Sequence, residues 1–193
     1  MAKDRAKRPE AKALRLFVAI EIPDEAKATV EAAFAGWRAE FPRARWAPAE
    51  NWHVTVKFLG QTWPRLLGWV QEAVGRAAAT CEPFETRLDG VGAFPSPRRA
   101  RVLWAGLDDA HGRMRALAAA LDEELAKEFV PEKRAFTPHL TVARSDPPLG
   151  MPDGFAQTAL EPVAFAVDHL TLFRSRLRRP APVYEPLCTW ALG

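Results

Sequence analysis

A chain of 193 residues with 48% hydrophobic content can bury a substantial core, and none of its apolar runs approaches the ~20 residues of a membrane span. Its two cysteines, Cys81 and Cys188, make neither a disulfide framework nor a metal-binding spacing. The formal charge of +3 is local in origin: Lys3, Arg5, Lys7, Arg8, Lys12 and Arg15 against Asp4 and Glu10 leave residues 1–15 at +4, so the rest sums to −1 and a globally basic polyanion-binding body is excluded.

Residues 1–13 read as a basic, disordered tail, either solvated or helping to attract polyanions. The first residues carry no apolar signal-peptide core, so a cytoplasmic location is expected. Residues 14–22 read as a buried strand, followed by a helix with Asp24 as its N-cap and Ala26, Val30, Ala33, Phe34 and Trp37 at helical spacing. Residues 46–51 read as a loop and 52–59 as a strand. A second helix is expected to begin within Gln61-Thr62-Trp63-Pro64 and to run to about Ala79, and a strand over 84–92. After a Pro-rich turn comes a strand at 101–107, then a helix over roughly 110–128 capped by Asp108 or Asp109. A strand at 138–144, a loop at 145–150, one or two strands within 162–174 and a last strand at 182–190 complete the chain. Strands interleaved with a few helices imply an α+β fold with mixed, largely antiparallel sheets.

His-x-Thr-x occurs at His53-Val54-Thr55-Val56 and again at His139-Leu140-Thr141-Val142. On a strand, residues two apart share a face, so each copy aims an imidazole and a hydroxyl the same way. Upstream, Arg15-Leu16-Phe17-Val18-Ala19 precedes His53 by the same 38 residues that separate Arg101-Val102-Leu103-Trp104-Ala105 from His139. We read this as an internal duplication of period 86, with units of about 15–59 and 101–145. The expected architecture is one bilobal domain over 14–193: two lobes related by a pseudo-twofold, one His from each, and a central cleft. A third copy, His169-Leu170-Thr171-Leu172, has no such partner, because Pro131 stands 38 residues before it. His169 is therefore read as a strand residue on a solvent-facing or lobe-contact face.

Three chemistries compete for the two histidines. Metal binding lacks a supporting carboxylate or Cys pair in either His strand, so no metal and no cofactor are expected. Nucleophilic catalysis lacks a Gly-x-Ser-x-Gly turn, and neither Cys has a nearby His in sequence. Acid–base catalysis needs only one neutral and one protonated imidazole, which a pKa of about 6.5 allows. Thr hydroxyls beside them can donate to phosphoryl oxygens as charge builds.

The segments HVTVKFLG and TPHLTVAR resemble the paired motifs of the two-histidine phosphoesterases. Together with RLFVAIEIP, RVLWAGL and LFRSRL…YEPL they resemble the bacterial and archaeal RNA 2′,3′-cyclic phosphodiesterases, historically called 2′-5′ RNA ligases, over roughly residues 14–190. The resemblance implies the bilobal two-histidine phosphoesterase fold and hydrolysis of RNA 2′,3′-cyclic phosphate ends to 2′-phosphates, with reversible 2′-5′ RNA ligation as a second reaction of the same cyclic ends. It implies His53 as proton donor, His139 as proton acceptor, and Thr55, Thr141 and Arg144 as phosphate-binding residues. His169 departs from the family, which has an apolar or neutral residue there. A related phosphodiesterase acting on a small cyclic nucleotide, and a non-catalytic module holding RNA ends, are the alternatives. RNA ends or small cyclic-phosphate nucleotides are thus the expected partners of a monomer that touches no membrane.

Strand alternation places Lys57 on the face of His53 and Thr55, in a phosphate role or simply solvated. Trp46 or Trp52 can stack on a base, although core packing is the commoner fate of a Trp. His111 reads as an early-helix surface residue. For Arg144, alternation and resemblance disagree. A straight strand turns it away from His139 and Thr141, and a phosphate contact needs a bulge or a bend.

Overall fold

The computed structural model describes residues 12–193; the basic tail falls on residues 1–11, outside the described residues, and on the two that follow. The strands are β1 (Leu14–Glu21), β2 (Arg45–Trp46), β3 (His53–Thr62), β4 (Phe84–Phe94), β5 (Ala100–Leu107), β6 (His139–Leu149), β7 (Ala164–Val167), β8 (His169–Arg176) and β9 (Val183–Ala191). Among the described residues three α-helices join them: α1 (Asp24–Glu40), α2 (Leu67–Ala78) and α3 (Arg113–Leu125). The expected α+β class holds, and every strand pairing is antiparallel.

The sheet runs β7-β4-β5-β6-β3-β1-β8-β9, with β2 paired to β6. Its two halves are mirror lists: each His strand is innermost, flanked by the strand that carries Arg15 or Arg101. The halves meet at β3 and β6, where Val54 pairs with Leu140. β1 is apolar on both faces. Leu16, Val18 and Ile20 enter the main core, while Phe17 and Ala19 join Phe173 and Tyr184 on the opposite face. The helices close the main core with one stripe each: Ala26, Val30 and Phe34 from α1, Val70, Ala73, Val74 and Ala77 from α2, and Met114, Leu117, Leu121 and Leu125 from α3.

Some boundaries differ from expectation. Pro23, not Asp24, holds the N-cap position of α1, and Asp24 is its first helical residue. The second helix begins at Leu67, because residues 64–66 form a 3₁₀ turn. Asp109 does anchor α3, but from outside it: its carboxylate accepts the backbone N–H groups of Met114 (2.9 Å) and Arg115 (3.1 Å). His111 sits exposed in the turn before α3. Trp46, read as the start of a loop, instead forms β2 with Arg45. The loop expected at 145–150 is a wide bulge within β6. Ala100 pairs with Leu149 and Val102 with Arg144, so residues 145–148 arch out opposite Arg101, whose guanidinium bonds Asp146 at 2.9 Å.

Candidate active site

β3 and β6 lie side by side and antiparallel, so their two motifs face one cleft. In each, the His and Thr are half-buried toward the cleft while Val54 or Leu140 is fully buried behind. Alternation then breaks at the same place in both. Val18 pairs with Lys57 and Ala19 with Thr55, leaving Val56 as an extra residue on β3. Leu103 pairs with Ala143 and Trp104 with Thr141, leaving Val142 as an extra residue on β6. These bulges are 86 residues apart, the same spacing as the two His-x-Thr-x motifs.

Each bulge turns the second residue after it back into the cleft. On β6 that residue is Arg144, so the bulge reconciles the strand pattern with a cleft-facing guanidinium. On β3 it is Phe58, and Lys57 faces the other way. Lys57 is 6% exposed, ion-paired to Asp122 of α3, and donates to the Val130 carbonyl at 3.1 Å. The face expected for Lys57 is therefore wrong, and the bulge is the reason. The other Asp122 oxygen accepts the N–H of Glu132 at 3.0 Å, which ties the segment before His139 to α3. Lys57→Met would strand a partly buried carboxylate. It should cost about 3 kcal/mol in urea unfolding; an unchanged midpoint would show that the pair contributes nothing.

The two imidazoles are braced alike. Nδ1–H of His53 donates to the Asn51 carbonyl at 2.8 Å, and Nδ1–H of His139 to the Thr137 carbonyl at 2.7 Å. Both carbonyls lie two residues upstream, again 86 residues apart. This fixes the tautomer and points each Nε2 at the cleft. Beyond Nε2 the halves differ. His53 Nε2 shares a 3.0 Å hydrogen bond with Thr55 Oγ1, whereas His139 Nε2 has no hydrogen-bond partner among the described residues. The His53 ring stacks on Phe17 (4.7 Å between centroids) and meets Tyr184 edge-on (5.1 Å), while Phe94 packs edge-on against His139 (5.0 Å). Trp104 lies near the His139 ring (6.3 Å) and over Gly92, where a Cβ would meet its indole at 2.2 Å, so only glycine fits.

Burial disfavours the charged form of both imidazoles, and the Arg144 guanidinium adds to it. His53 is lowered to about 4, with the charge of His139 a further, smaller cause; the Asn51 carbonyl offsets part of this. His139 is also lowered, by burial and then Arg144, against the Thr137 carbonyl. Both rings are consequently neutral near pH 7.

The cleft has a volume of about 650 Å³. His53, Thr55, His139, Thr141 and Arg144 all line it, so the five residues picked from sequence come together. Arg15 and Arg45 line it too, and among the described residues no carboxylate does. None of the three arginines makes an ion pair among the described residues. Unpaired guanidinium groups without acidic neighbours make an anion site. Acid–base chemistry on a phosphate is what this set of groups can do.

Sequence reasoning missed Asn51, Phe17, Phe58 and Tyr184. The 86-residue period could have pointed to Asn51 through its equivalent Thr137. Of the two tryptophans, Trp46 lines the cleft, with its N–H bonded to the Phe41 carbonyl at 3.0 Å. Trp52 is 3% exposed and belongs to the core. His169 stays outside the cleft on a solvent-facing surface, its ring between the carboxylates of Asp168 and Glu21. Arg174 reaches toward Glu185 at 4.0 Å rather than into the cleft. Among the described residues no group of three His, Cys, Asp or Glu side chains is placed to hold a metal, and no helix is long and apolar enough to cross a membrane.

The 2′-5′ RNA ligase superfamily profile matches residues 22–179. An RNA 2′,3′-cyclic phosphodiesterase of Thermus thermophilus is 31% identical over 93% of this chain and 90% of its own length. One of Geobacillus stearothermophilus is 26% identical over 91% of this chain, which spans 56% of that longer protein. The crystal structure of E. coli LigT complexed with 3′-AMP superposes with a TM-score of 0.72 at 27% identity, covering 94% of this chain and 99% of that one.

Proposed function

We propose that this chain, which belongs to the 2′-5′ RNA ligase superfamily, hydrolyses RNA 2′,3′-cyclic phosphodiester ends to 2′-phosphomonoesters without a metal. The observation that carries the reading is the pair of His-Thr motifs, braced alike and facing one arginine-lined cleft. In this scheme the cyclic phosphate lies between the two Nε2 atoms, its anionic oxygens held by the Thr55 and Thr141 hydroxyls and by Arg144. His139, whose Nε2 is free to accept, takes a proton from water as the water oxygen bonds to phosphorus. The bond from phosphorus to the 3′ oxygen breaks, and His53 delivers a proton to that oxygen. The product carries a 2′-phosphate and a 3′-hydroxyl, and each proton transfer contributes ~10²–10⁴-fold.

His53 must be protonated to act as the acid, although burial lowers it to about 4. The bound phosphodiester supplies the missing countercharge and raises it. The pH dependence follows from these directions. Activity falls at low pH as the base protonates, and at high pH as the acid loses its proton. Because both histidines are lowered in the free protein, the bell of kcat/KM should peak on the acid side of pH 6.5. The kcat bell, reporting the occupied cleft, should lie at higher pH. A kcat/KM profile rising monotonically to pH 9 would refute this assignment.

The bound 3′-AMP of LigT favours a second reading, in which a mononucleotide-sized cyclic phosphate is the substrate. One assay addresses both. The purified protein is given an oligoribonucleotide ending in 2′,3′-cyclic phosphate, and separately a nucleoside 2′,3′-cyclic phosphate, with and without excess EDTA. Opening of the RNA end at a rate unaffected by EDTA is expected. A strict requirement for added Mg²⁺, Mn²⁺ or Zn²⁺ would sink the metal-free mechanism, and turnover of the mononucleotide alone would favour the second reading.

A further inference from the structure

Asn51 does more than offer its carbonyl to His53. Its carboxamide Nδ2–H donates to the Pro182 carbonyl at 2.8 Å, across 131 residues of sequence. Pro182 closes the loop of residues 177–182 that joins β8 to β9. Leu177, Pro180, Ala181 and Pro182 of this loop, with Tyr184 just beyond it, form one wall of the cleft. Among the described residues, the bond from Asn51 is the one hydrogen bond that reaches the loop from outside the β8–β9 hairpin. The hairpin therefore bears on His53 twice. Tyr184 meets the ring edge-on, and Pro182 holds the residue whose carbonyl accepts the Nδ1–H.

The turn that carries Asn51 is short. Residues 49–51 form a single 3₁₀ turn, closed by the Asn51 N–H on the Pro48 carbonyl at 2.9 Å. Behind it the buried Trp52 donates its indole N–H to the Ala47 carbonyl at 3.1 Å. The hydrogen-bond geometry of such a turn is poor, so its carbonyls need outside support to hold one direction. The carboxamide supplies that support from the cleft side. The equivalent Thr137 offers its carbonyl to His139 with no side-chain tie among the described residues. We infer that Asn51 is a positioning residue: its carboxamide locks the cleft wall of residues 177–184 to the turn that braces His53, so one side chain sets both that wall and the direction of Nε2. Only the kinetic consequence rests on the phosphodiesterase reading above.

The test is Asn51→Ala in the full chain. Trypsin should cut after Arg178 several-fold faster, because the loop opens more readily. ¹⁵N spectra of histidine-labelled protein near pH 7 should show His53 as the Nδ1–H tautomer in wild type and as a mixture with Nε2–H in the variant. On a cyclic-phosphate RNA end, kcat should fall by on the order of 10-fold. The Asn51 carbonyl raises His53, so weakening that bond should move the alkaline limb of the kcat bell to lower pH, while the acid limb set by His139 stays. The other charged and titratable groups around the ring are unaltered: Arg144 and His139 from β6, Tyr184 from β9, and Glu21 from β1, whose carboxylate accepts the Thr171 hydroxyl at 2.9 Å. Asn51→Asp keeps the shape but cannot donate to Pro182, and should speed cleavage as Ala does. Wild-type cleavage in both variants, an unmixed Nδ1–H tautomer in Asn51→Ala, or a rise in KM alone would overturn the inference. If cleavage and tautomer change as stated but even wild type opens no cyclic phosphate, the positioning role stands and the phosphodiesterase reading fails.

Discussion

His139→Ala is expected to lower kcat by ~10²–10⁴-fold on a cyclic-phosphate RNA end, and His53→Ala by a similar factor. Each substitution removes one proton transfer while leaving the braces of the other ring intact: Asn51 still holds His53, and Thr137 still holds His139. Neither imidazole supports the main core, so both variants should unfold near the wild-type midpoint. Because the two act as a unit on one phosphorus, the double variant should lose less than the product of the singles. His169→Ala is the control and should stay within a few-fold of wild type, since its partners Asp168 and Glu21 lie outside the cleft. An inactive His169→Ala beside an active His53→Ala would show that the wrong copies of the motif had been paired.

Arg144→Ala should be the next most damaging change. Its guanidinium is the cleft cation carried by a His strand itself, exposed and without an ion-pair partner among the described residues. Losing a charge-assisted contact to the phosphoryl oxygens should cost on the order of 10²-fold in kcat/KM. Arg144→Lys keeps the charge but loses the planar fork, so it should recover only part of the loss. The substitution also removes a positive charge that lowers both histidines, so the kcat/KM bell should move to higher pH. Full activity in both variants would leave Arg144 as a solvated strand residue and shift the charge burden to Arg45 or Arg15.

The contrast between Arg144 and Lys57 shows where sequence reading reached its limit. His53, Thr55, His139 and Thr141 were legible because a strict alternation of two places His and Thr together, and because the motif recurs one repeat apart with matching flanks. One residue past each Thr that alternation fails. The extra residues are Val56 and Val142, and neither is a Gly or Pro that would announce a bulge. The same irregularity sends Lys57 into an ion pair with α3 and brings Arg144 into the cleft. Counting along the strand misplaces the first, and only the family resemblance placed the second.

Phe17 and Tyr184 were invisible for a different reason. An aromatic residue on a strand is most simply core, and Phe17 is indeed 2% exposed, but its ring lies against His53. Only the register of β1 with β3 and β8 tells which face it occupies. The loop expected at 145–150 failed less severely: Pro147 and Pro148 do interrupt pairing, as an excursion inside a strand rather than its end. Helix existence followed from spacing, but the start of α3 did not, because Asp109 caps it from outside.

The position of the phosphate in the product is the most direct test of the account. A short oligoribonucleotide ending in 2′,3′-cyclic phosphate is converted by the wild-type protein in ¹⁸O-labelled water, and the product is read by ³¹P NMR. Attack by water activated at His139, with the 3′ oxygen leaving under protonation by His53, predicts a single 2′-phosphomonoester bearing one ¹⁸O. A 3′-phosphate, a mixture of the two, or a cyclic end that persists unopened would contradict it.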